Sequence, residues 1–159
     1  MDVFGEALKD QFTKPPAETL WVHNSYDEPE EMPVDVYFRG EDEMPELELK
    51  ALALCNGKVL DVGAGVGSHA LILQKRGLNV TGMDISAPAV TIMRQRGLKQ
   101  AIEGNILTYK EDTYDTLLFM MNGIGLTGSI AGLEAFLELG KHLLNSVGKV
   151  LFDSSGLSY

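Results

Sequence analysis

Residues 59–86 constrain the fold of this 159-residue chain most strongly, because two short apolar runs there enclose a glycine-rich turn and a helical stretch. The first run, residues 59–62, is typical of a strand that is buried on both faces. In the loop that follows, residues 63–67 (GAGVG), alternating glycines let the backbone turn sharply with no Cβ between it and a neighbouring group. A helix over residues 69–76 and a second strand over residues 79–83 complete a strand, loop, helix and strand unit.

The rest of the chain continues this alternation. Further helices are predicted over residues 44–54, 86–97 and 131–144, and further strands over residues 100–103, 114–121 and 147–153. Strands that alternate with helices favour a three-layer α/β sandwich with a mostly parallel sheet and helices on both faces. Numbered from the strand at residues 59–62, the expected strand order is 3-2-1-4-5.

Residues 1–43 depart from this pattern and are predicted to form a cap or lid on a single-domain core, residues 44–159. Apolar side chains at four-residue spacing near the N-terminus predict a short amphipathic packing helix, with a lid over a ligand as the alternative. Residues 34–39 (VDVYFR) then alternate like an extended strand and end in Arg39.

The acidic charge of the chain argues against a nucleic-acid partner. A net charge of −10 and an isoelectric point near 4.6 oppose nucleic-acid binding, which depends on basic side chains that neutralise phosphates. The acidic runs at residues 27–31 and 41–43 are typical of solvated surface, and attraction of a cationic substrate is the alternative. The sequence has one cysteine, Cys55, and it shows no basic leader and no apolar run of membrane-spanning length. These features predict a cytoplasmic protein without membrane contact.

The acids around the glycine loop distinguish between two nucleotide cofactors. Dinucleotide-binding folds carry G-x-G-x-x-G beneath a pyrophosphate, whereas here the third glycine, Gly67, comes one position early and Ser68 follows it. Asp61, two residues before the loop, would repel a pyrophosphate but attract the ammonium of a methionyl group. Asp84 closes the second strand at the sheet edge where α/β folds bind ligands, and is placed to accept both ribose hydroxyls. The pattern favours S-adenosylmethionine.

Two motifs resemble those of a known family. DVGAGVG, residues 61–67, resembles the first motif of the class I S-adenosylmethionine-dependent methyltransferases, and VTGMDIS, residues 80–86, resembles the acidic second-strand motif that follows it. The resemblance extends over about residues 47–153. The cofactor positions expected from these two motifs are Asp61, Gly63, Ala64, Gly65, Gly67, Asp84 and Ile85.

Three more cofactor contacts are expected. In the resembling family an acid near the end of the third strand often accepts from the adenine amino group, with an apolar neighbour against the ring. Asn105 and Ile106 stand there, and an amide carbonyl can accept the same hydrogen bond, with an ordinary turn asparagine as the alternative. The guanidinium of Arg39 is expected either to bind the carboxylate of the cofactor or substrate, or to pair with neighbouring acids.

The expected reaction is an in-line methyl displacement, which needs positioning and exclusion of water but no metal. The three histidines, His23, His69 and His142, lack metal-ligand spacing. His23 is the candidate general base, whereas His69 is expected on an exposed helix face, with a place near the methionyl end as the alternative. Asn122, in the glycine-rich loop after the fourth strand, is expected to line the active site or to form a flexible turn.

The sequence therefore predicts methyl transfer from S-adenosylmethionine to a small molecule. The rivals are an NAD-type oxidoreductase, which the glycine spacing and Asp61 disfavour, and a noncatalytic cofactor-binding or interaction domain. The second rival arises because the resembling family has seven strands, whereas six residues follow Asp153 here. A C-terminally truncated methyltransferase is therefore expected, with an open edge at residues 147–153 that self-associates or accepts a strand from another chain.

Overall fold

The structure, a computed structural model, describes residues 1–23, 28–121 and 123–153. Its helices are α1 (Val3–Thr13), α2 (Glu46–Leu54), α3 (Ser68–Lys75), α4 (Ala87–Gln95) and α5 (Ile130–Leu143). Its strands are β1 (Leu20–Val22), β2 (Glu30–Met32), β3 (Lys58–Val62), β4 (Asn79–Asp84), β5 (Ala101–Glu103), β6 (Tyr114–Phe119) and β7 (Leu144–Phe152). Short 3-10 helices lie at Asp35–Phe38, Glu41–Glu43 and Gly123–Thr127. Every helix and strand predicted between residues 44 and 153 is present, with ends that differ by at most three residues.

Strands β3 to β7 form one parallel sheet in the order β5-β4-β3-β6-β7. Counted from β3, this is the predicted order 3-2-1-4-5, so the predicted fold class is confirmed. A separate antiparallel hairpin is formed by β1 and β2. Because the five core strands run in one direction, their carboxyl ends meet at one edge, and the loops that follow them gather there.

Strand β6 is covered on both faces. Leu117 and Leu118 are adjacent and fully buried, yet they belong to different apolar clusters. Leu117 packs in the cluster that contains Phe136 of α5, and Leu118 in the cluster that contains Leu73 of α3. Since successive side chains of a strand point to opposite faces, the two clusters are the two halves of a three-layer core.

Gly67 joins the loop after β3 to α3, and no larger residue fits at this position. Its φ is +80°, in the left-handed region that glycine favours. A Cβ there would lie 2.9 Å from Cγ of Met93, on α4. The third glycine of the loop is therefore required both by the backbone conformation and by the close packing of α4.

The N-terminal segment packs against the core through α1. Leu8 is fully buried in a cluster that includes Ile92 of α4. Asp2 caps α1 by accepting from the amide of Gly5 at 2.8 Å, and its other oxygen accepts from the hydroxyl of Ser86 at 2.6 Å. The predicted packing role of this helix is thus observed.

The prediction of an extended strand at residues 34–39 is wrong, because Asp35–Phe38 forms a 3-10 helix. Core side chains bind its carbonyl groups in place of a neighbouring strand: Ser68 Oγ donates to the Tyr37 carbonyl at 2.6 Å, and Arg96 Nη2 donates to the Phe38 carbonyl at 3.4 Å. Tertiary contacts therefore override an alternating pattern that is typical of strands.

Among the described residues, none of the helices combines the length and apolar character needed to cross a bilayer.

We expect the single substitutions Leu117→Ala and Leu118→Ala each to lower the free energy of unfolding by about 2–5 kcal/mol, because each leaves a cavity in a separate half of the core. Chemical denaturation of each variant measures the effect, and Leu54→Ala, at a side chain that is 51% exposed, serves as the control. A large loss for only one of the two adjacent leucines would mean that one face of the sheet is not part of the core.

Candidate functional site

Two cavities open at the carboxyl edge of the sheet and share Gly63. The first, about 110 Å³, and the second, about 280 Å³, are both lined by this glycine and so meet at the start of the glycine loop. Gly63 is exposed with a φ of +68°, and a Cβ there would have nothing within 4 Å. The backbone at the junction is therefore open to a ligand that lies across both cavities.

The second cavity is organised by Asp84, at the end of β4. One carboxylate oxygen accepts from the amide of Gly65 at 2.8 Å, and the other accepts from the amide of Ser86 at 2.9 Å. Burial raises the pKa of Asp84, although these amides act in the opposite direction. The two hydrogen bonds hold the carboxylate in one orientation against the cavity wall, where its remaining lone pairs can accept hydroxyl groups.

Three apolar or amide side chains complete this cavity. Ile85 is 73% exposed beside Asp84, whereas Ile106 is buried. Asn105 also lines the cavity, and its side-chain oxygen accepts from the amide of Leu107 at 2.9 Å. Asn105 therefore makes the turn that was one of its two sequence interpretations, and it also borders the cavity.

The first cavity contains a buried carboxylate with an unused acceptor. Asp61, in the central strand β3, is 1% exposed, and among the described residues its Oδ2 has no hydrogen-bond partner. Burial raises the pKa of Asp61 to about 6, the charge of His69 and the Ala70 amide lower it, and the charge of Asp84 raises it further. A carboxylate oxygen left without a donor is costly inside a protein, so this position suits a cationic ligand.

Arg39 lines the same cavity and pairs with an acid that the sequence interpretation did not consider. Its Nη2 donates to Glu48 Oε1 at 2.8 Å, and its Nε donates to the Val36 carbonyl at 2.8 Å. Glu48, on α2, is 6% exposed. The predicted ion pair of Arg39 with an acid therefore exists, but its partner is buried and borders the cavity.

His69 lies on the other side of Glu48. Its Nε2 is 2.7 Å from Glu48 Oε2, and the residue is only 7% exposed, so the expectation of an exposed helical position for His69 is wrong. Desolvation lowers the pKa of His69, but the hydrogen bond to Glu48 and the charges of Asp61 and Glu48 outweigh it and raise that pKa overall. The hydrogen bond from His69 in turn lowers the pKa of Glu48. The pair therefore favours an imidazolium beside a carboxylate.

Helical periodicity contains the signal that locates Glu48. Positions 48, 52 and 55 share one helix face, and Glu48, Leu52 and Cys55 are all buried. Leu47 and Leu54 of the same helix are 59% and 51% exposed. An acid on the apolar face of a helix was thus visible in the sequence as an exception that needs a partner.

The catalytic candidates are only partly placed by the structure. Met121 and Gly123 line the first cavity, and Met121 has a φ of 57°, which is uncommon for a residue other than glycine. Asn122 between them lies outside the described residues. His23 is exposed at the end of β1 and does not line either cavity, so its catalytic role stays a prediction. In the described part of the chain, no three acidic, histidine or cysteine side chains group as metal ligands would.

Comparison with known proteins decides the family. Residues 59–146, more than half of the chain, match the sequence model of the methyltransferase domain. An S-adenosylmethionine-dependent methyltransferase from Bacteroides fragilis, solved in complex with S-adenosyl-L-homocysteine, is 41% identical and superposes with a TM-score of 0.92 over 98% of this chain. This chain belongs to the class I S-adenosylmethionine-dependent methyltransferases.

More distant solved structures share the fold of this chain. The sugar N-methyltransferase KedS8 from Streptoalloteichus sp. is 14% identical, with a TM-score of 0.64 over 86% of this chain. The amino pentose methyltransferase CalS10 from Micromonospora echinaspora is 18% identical, with a TM-score of 0.59 over 82% of this chain. This chain spans 65% of the Bacteroides chain, 59% of KedS8 and 58% of CalS10, which is less than two thirds of each. A search of curated proteins gives no match.

We expect Asp61→Asn to stabilise the unliganded protein at neutral pH. Burial raises the pKa of Asp61 from 3.8 to about 6, so between these pH values the folded chain holds a proton that the unfolded chain has lost. The free energy of unfolding therefore falls as the pH rises through this window. Above it, the ionised carboxylate costs on the order of 3 kcal/mol, which asparagine removes.

Thermal unfolding at pH 7 and pH 4 measures this effect. The gain of the variant over the wild type is expected to shrink toward pH 4, where the Asp61 of the folded wild type is protonated. Asp10→Asn, the same substitution at an exposed side chain of α1, is the control. Equal destabilisation by Asp61→Asn at both pH values would contradict the argument.

Proposed function

We propose that this chain binds S-adenosylmethionine and transfers its methyl group to a small-molecule acceptor by in-line displacement. The observation that carries the proposal is the unpartnered Oδ2 of Asp61, in a cavity that joins the Asp84 cavity at Gly63. A methionyl ammonium needs a buried anionic acceptor and a ribose needs a fixed carboxylate. Asp61 lines one cavity and Asp84 lines the other, and Gly63 lines both.

The residues present fit the cofactor. Asp84 would accept the ribose hydroxyls, and the exposed Ile85 would lie beside the sugar and the adenine. Asn105 and Ile106 would border the adenine, with the second lone pair of the Asn105 carbonyl left for the amino group. The glycine loop, with Gly63, Ala64, Gly65 and Gly67, would pass beneath the sugar and the methionyl chain.

The amino-acid end of the cofactor would occupy the first cavity. Asp61 would accept from the ammonium, and Arg39 would donate to the carboxylate from the nitrogens not used by Glu48 and Val36. The cofactor supplies an electrophilic methyl group when it is bound. The chain contributes position and exclusion of water, which is what an in-line displacement requires of a protein.

The acceptor would approach from the side of Met121 and Gly123. Asn122, between these two cavity residues in the sequence, is our candidate for contact with the acceptor, and His23 our candidate for the general base, carried by the N-terminal segment as a lid. The small cavities and the net charge of −10 favour a small acceptor over a nucleic acid. The single cysteine, Cys55, supports a cytoplasmic location as part of the same proposal.

The test is cofactor binding with and without Asp84. Calorimetry should detect S-adenosylhomocysteine binding to the wild type, and Asp84→Ala should weaken it tenfold or more, because one or two charge-assisted hydrogen bonds of roughly 1.5–3 kcal/mol each are lost. Asp112→Ala, at an exposed acid, should leave the affinity unchanged. Undiminished affinity of folded Asp84→Ala would refute the ribose assignment.

Two further outcomes separate the rival functions. Binding of NAD in preference to S-adenosylhomocysteine would favour an oxidoreductase. Binding of S-adenosylmethionine with no turnover across a panel of small-molecule acceptors would favour a noncatalytic cofactor-binding domain.

We also infer that the outer edge of β7 associates with another strand. Within the described residues β7 pairs with β6 alone, and it carries an 89% exposed valine, Val147, and a 53% exposed phenylalanine, Phe152. A long apolar strand with free backbone groups on one side is a template for pairing. A second copy of the chain is the simplest partner.

Sedimentation measures this association. The wild type is expected to sediment as a concentration-dependent dimer or larger species, and Val147→Lys is expected to shift it to a monomer, because a lysine on an edge opposes pairing. Ile130→Lys, at a residue of α5 that is 80% exposed, is the control. A wild-type monomer at every concentration would show that the edge stays unpaired.

A further inference from the structure

The first cavity is bordered by four charged side chains that alternate in sign. They are Arg39, Glu48, His69 and Asp61, and they come from the segment after a 3-10 helix, from α2, from α3 and from β3. Glu48 joins two of them directly, with Oε1 2.8 Å from Arg39 Nη2 and Oε2 2.7 Å from His69 Nε2. Asp61 and His69 interact through their charges. We refer to these four residues as the charge row.

Burial of the charge row costs free energy of folding, which indicates a role beyond stability. Glu48, His69 and Asp61 are 6%, 7% and 1% exposed, and buried ion pairs are often no more stabilising than apolar residues of the same volume. The row is also incomplete, because Asp61 Oδ2 is buried with no hydrogen-bond partner in the described part of the chain. In a set of charges that only stabilised the fold, a protein donor would be expected for Asp61 Oδ2. The unused acceptor at the cavity therefore indicates a role in ligand binding.

We propose that Glu48 and His69 are positioning residues for the amino-acid end of the cofactor: Glu48 holds Arg39 and His69 on its two oxygens, and His69 lines the same cavity as Asp61. This inference rests on the proposed function. In the arrangement, the guanidinium is preset for the methionyl carboxylate and Asp61 Oδ2 for the ammonium. Neither Glu48 nor His69 needs to touch the cofactor, since each acts through a neighbour.

The charge row makes binding depend on pH in a definite direction. His69 is faced by Arg39, Glu48 and Asp61, and Asp61 is also influenced by Asp84. The imidazolium lowers the pKa of Asp61, which burial has raised to about 6. Affinity for a ligand with an ammonium group should therefore fall as the pH drops through about 6, because Asp61 gains a proton.

The experiment compares two ligands that differ only at the amino-acid end. S-adenosylhomocysteine carries the ammonium and carboxylate, whereas 5′-methylthioadenosine has the same adenosine and thioether without them. His69→Gln and Glu48→Gln are each expected to weaken S-adenosylhomocysteine binding about tenfold or more at pH 7, and to change methylthioadenosine binding less than about threefold. Glu46→Gln on α2 and His142→Gln on α5 are exposed controls that should change neither affinity.

The pH dependence of S-adenosylhomocysteine affinity is a second measurement. It would not change if His69 had a purely structural role. In His69→Gln the acid limb of S-adenosylhomocysteine binding should shift toward neutral pH, because Asp61 loses the cation that favours its charged form. Calorimetry between pH 5 and 8 measures this shift. If Glu48→Gln does not fold, His69→Gln alone decides the question.

Two results would overturn the proposal. One is equal weakening of both ligands in folded His69→Gln, which would indicate general damage to the site. The other is an acid limb at the same pH in the variant and the wild type. Failure of the wild type to bind S-adenosylhomocysteine would instead reject the proposed function, so the two failures are distinguishable.

Discussion

The structure around the site depends on the desolvation of one carboxylate. Asp61 lies in the central strand of the sheet, where both faces are covered and water cannot solvate its charge. The imidazolium of His69 partly compensates that charge, and Glu48 compensates the imidazolium in turn. Helices α2 and α3 and the segment around Arg39 are thereby drawn to one edge of the sheet by electrostatics as well as by apolar packing.

Under the proposed function, this arrangement exchanges stability for binding. An apolar or neutral residue at position 61 would relieve the fold of a buried charge but would leave a methionyl ammonium with no acceptor. Asp84 shows a milder form of the same exchange, since burial raises its pKa while two backbone amides favour its charged form. The two acids at the site are thus maintained at different electrostatic cost, and the one deeper in the sheet carries the higher cost.

Local patterns predicted the parts of the molecule that depend on local physics. The apolar runs and glycines predicted β3, α3 and β4, and the carboxyl-edge rule brought Asp61 and Asp84 to one surface, because strand direction follows from connection type. The 3-10 helix at Asp35–Phe38 was missed because its conformation depends on Ser68 and Arg96, which are distant in sequence. The charge row was missed for the same reason, since the partner of Glu48 is known only when α3 places His69 against it.

The link between Asp2 and Ser86 has a consequence for synthesis of the chain. The Ser86 hydroxyl binds Asp2, and the Ser86 amide holds the carboxylate of Asp84. An isolated helix of 11 residues, the length of α1, is marginal in water, so α1 needs its docking surface on α4 to persist. That surface leaves the ribosome more than eighty residues after α1 does. Helix α1 is therefore made well before the surface that orders it, and Asp84 acquires its final surroundings only when Asp2 and Ser86 meet.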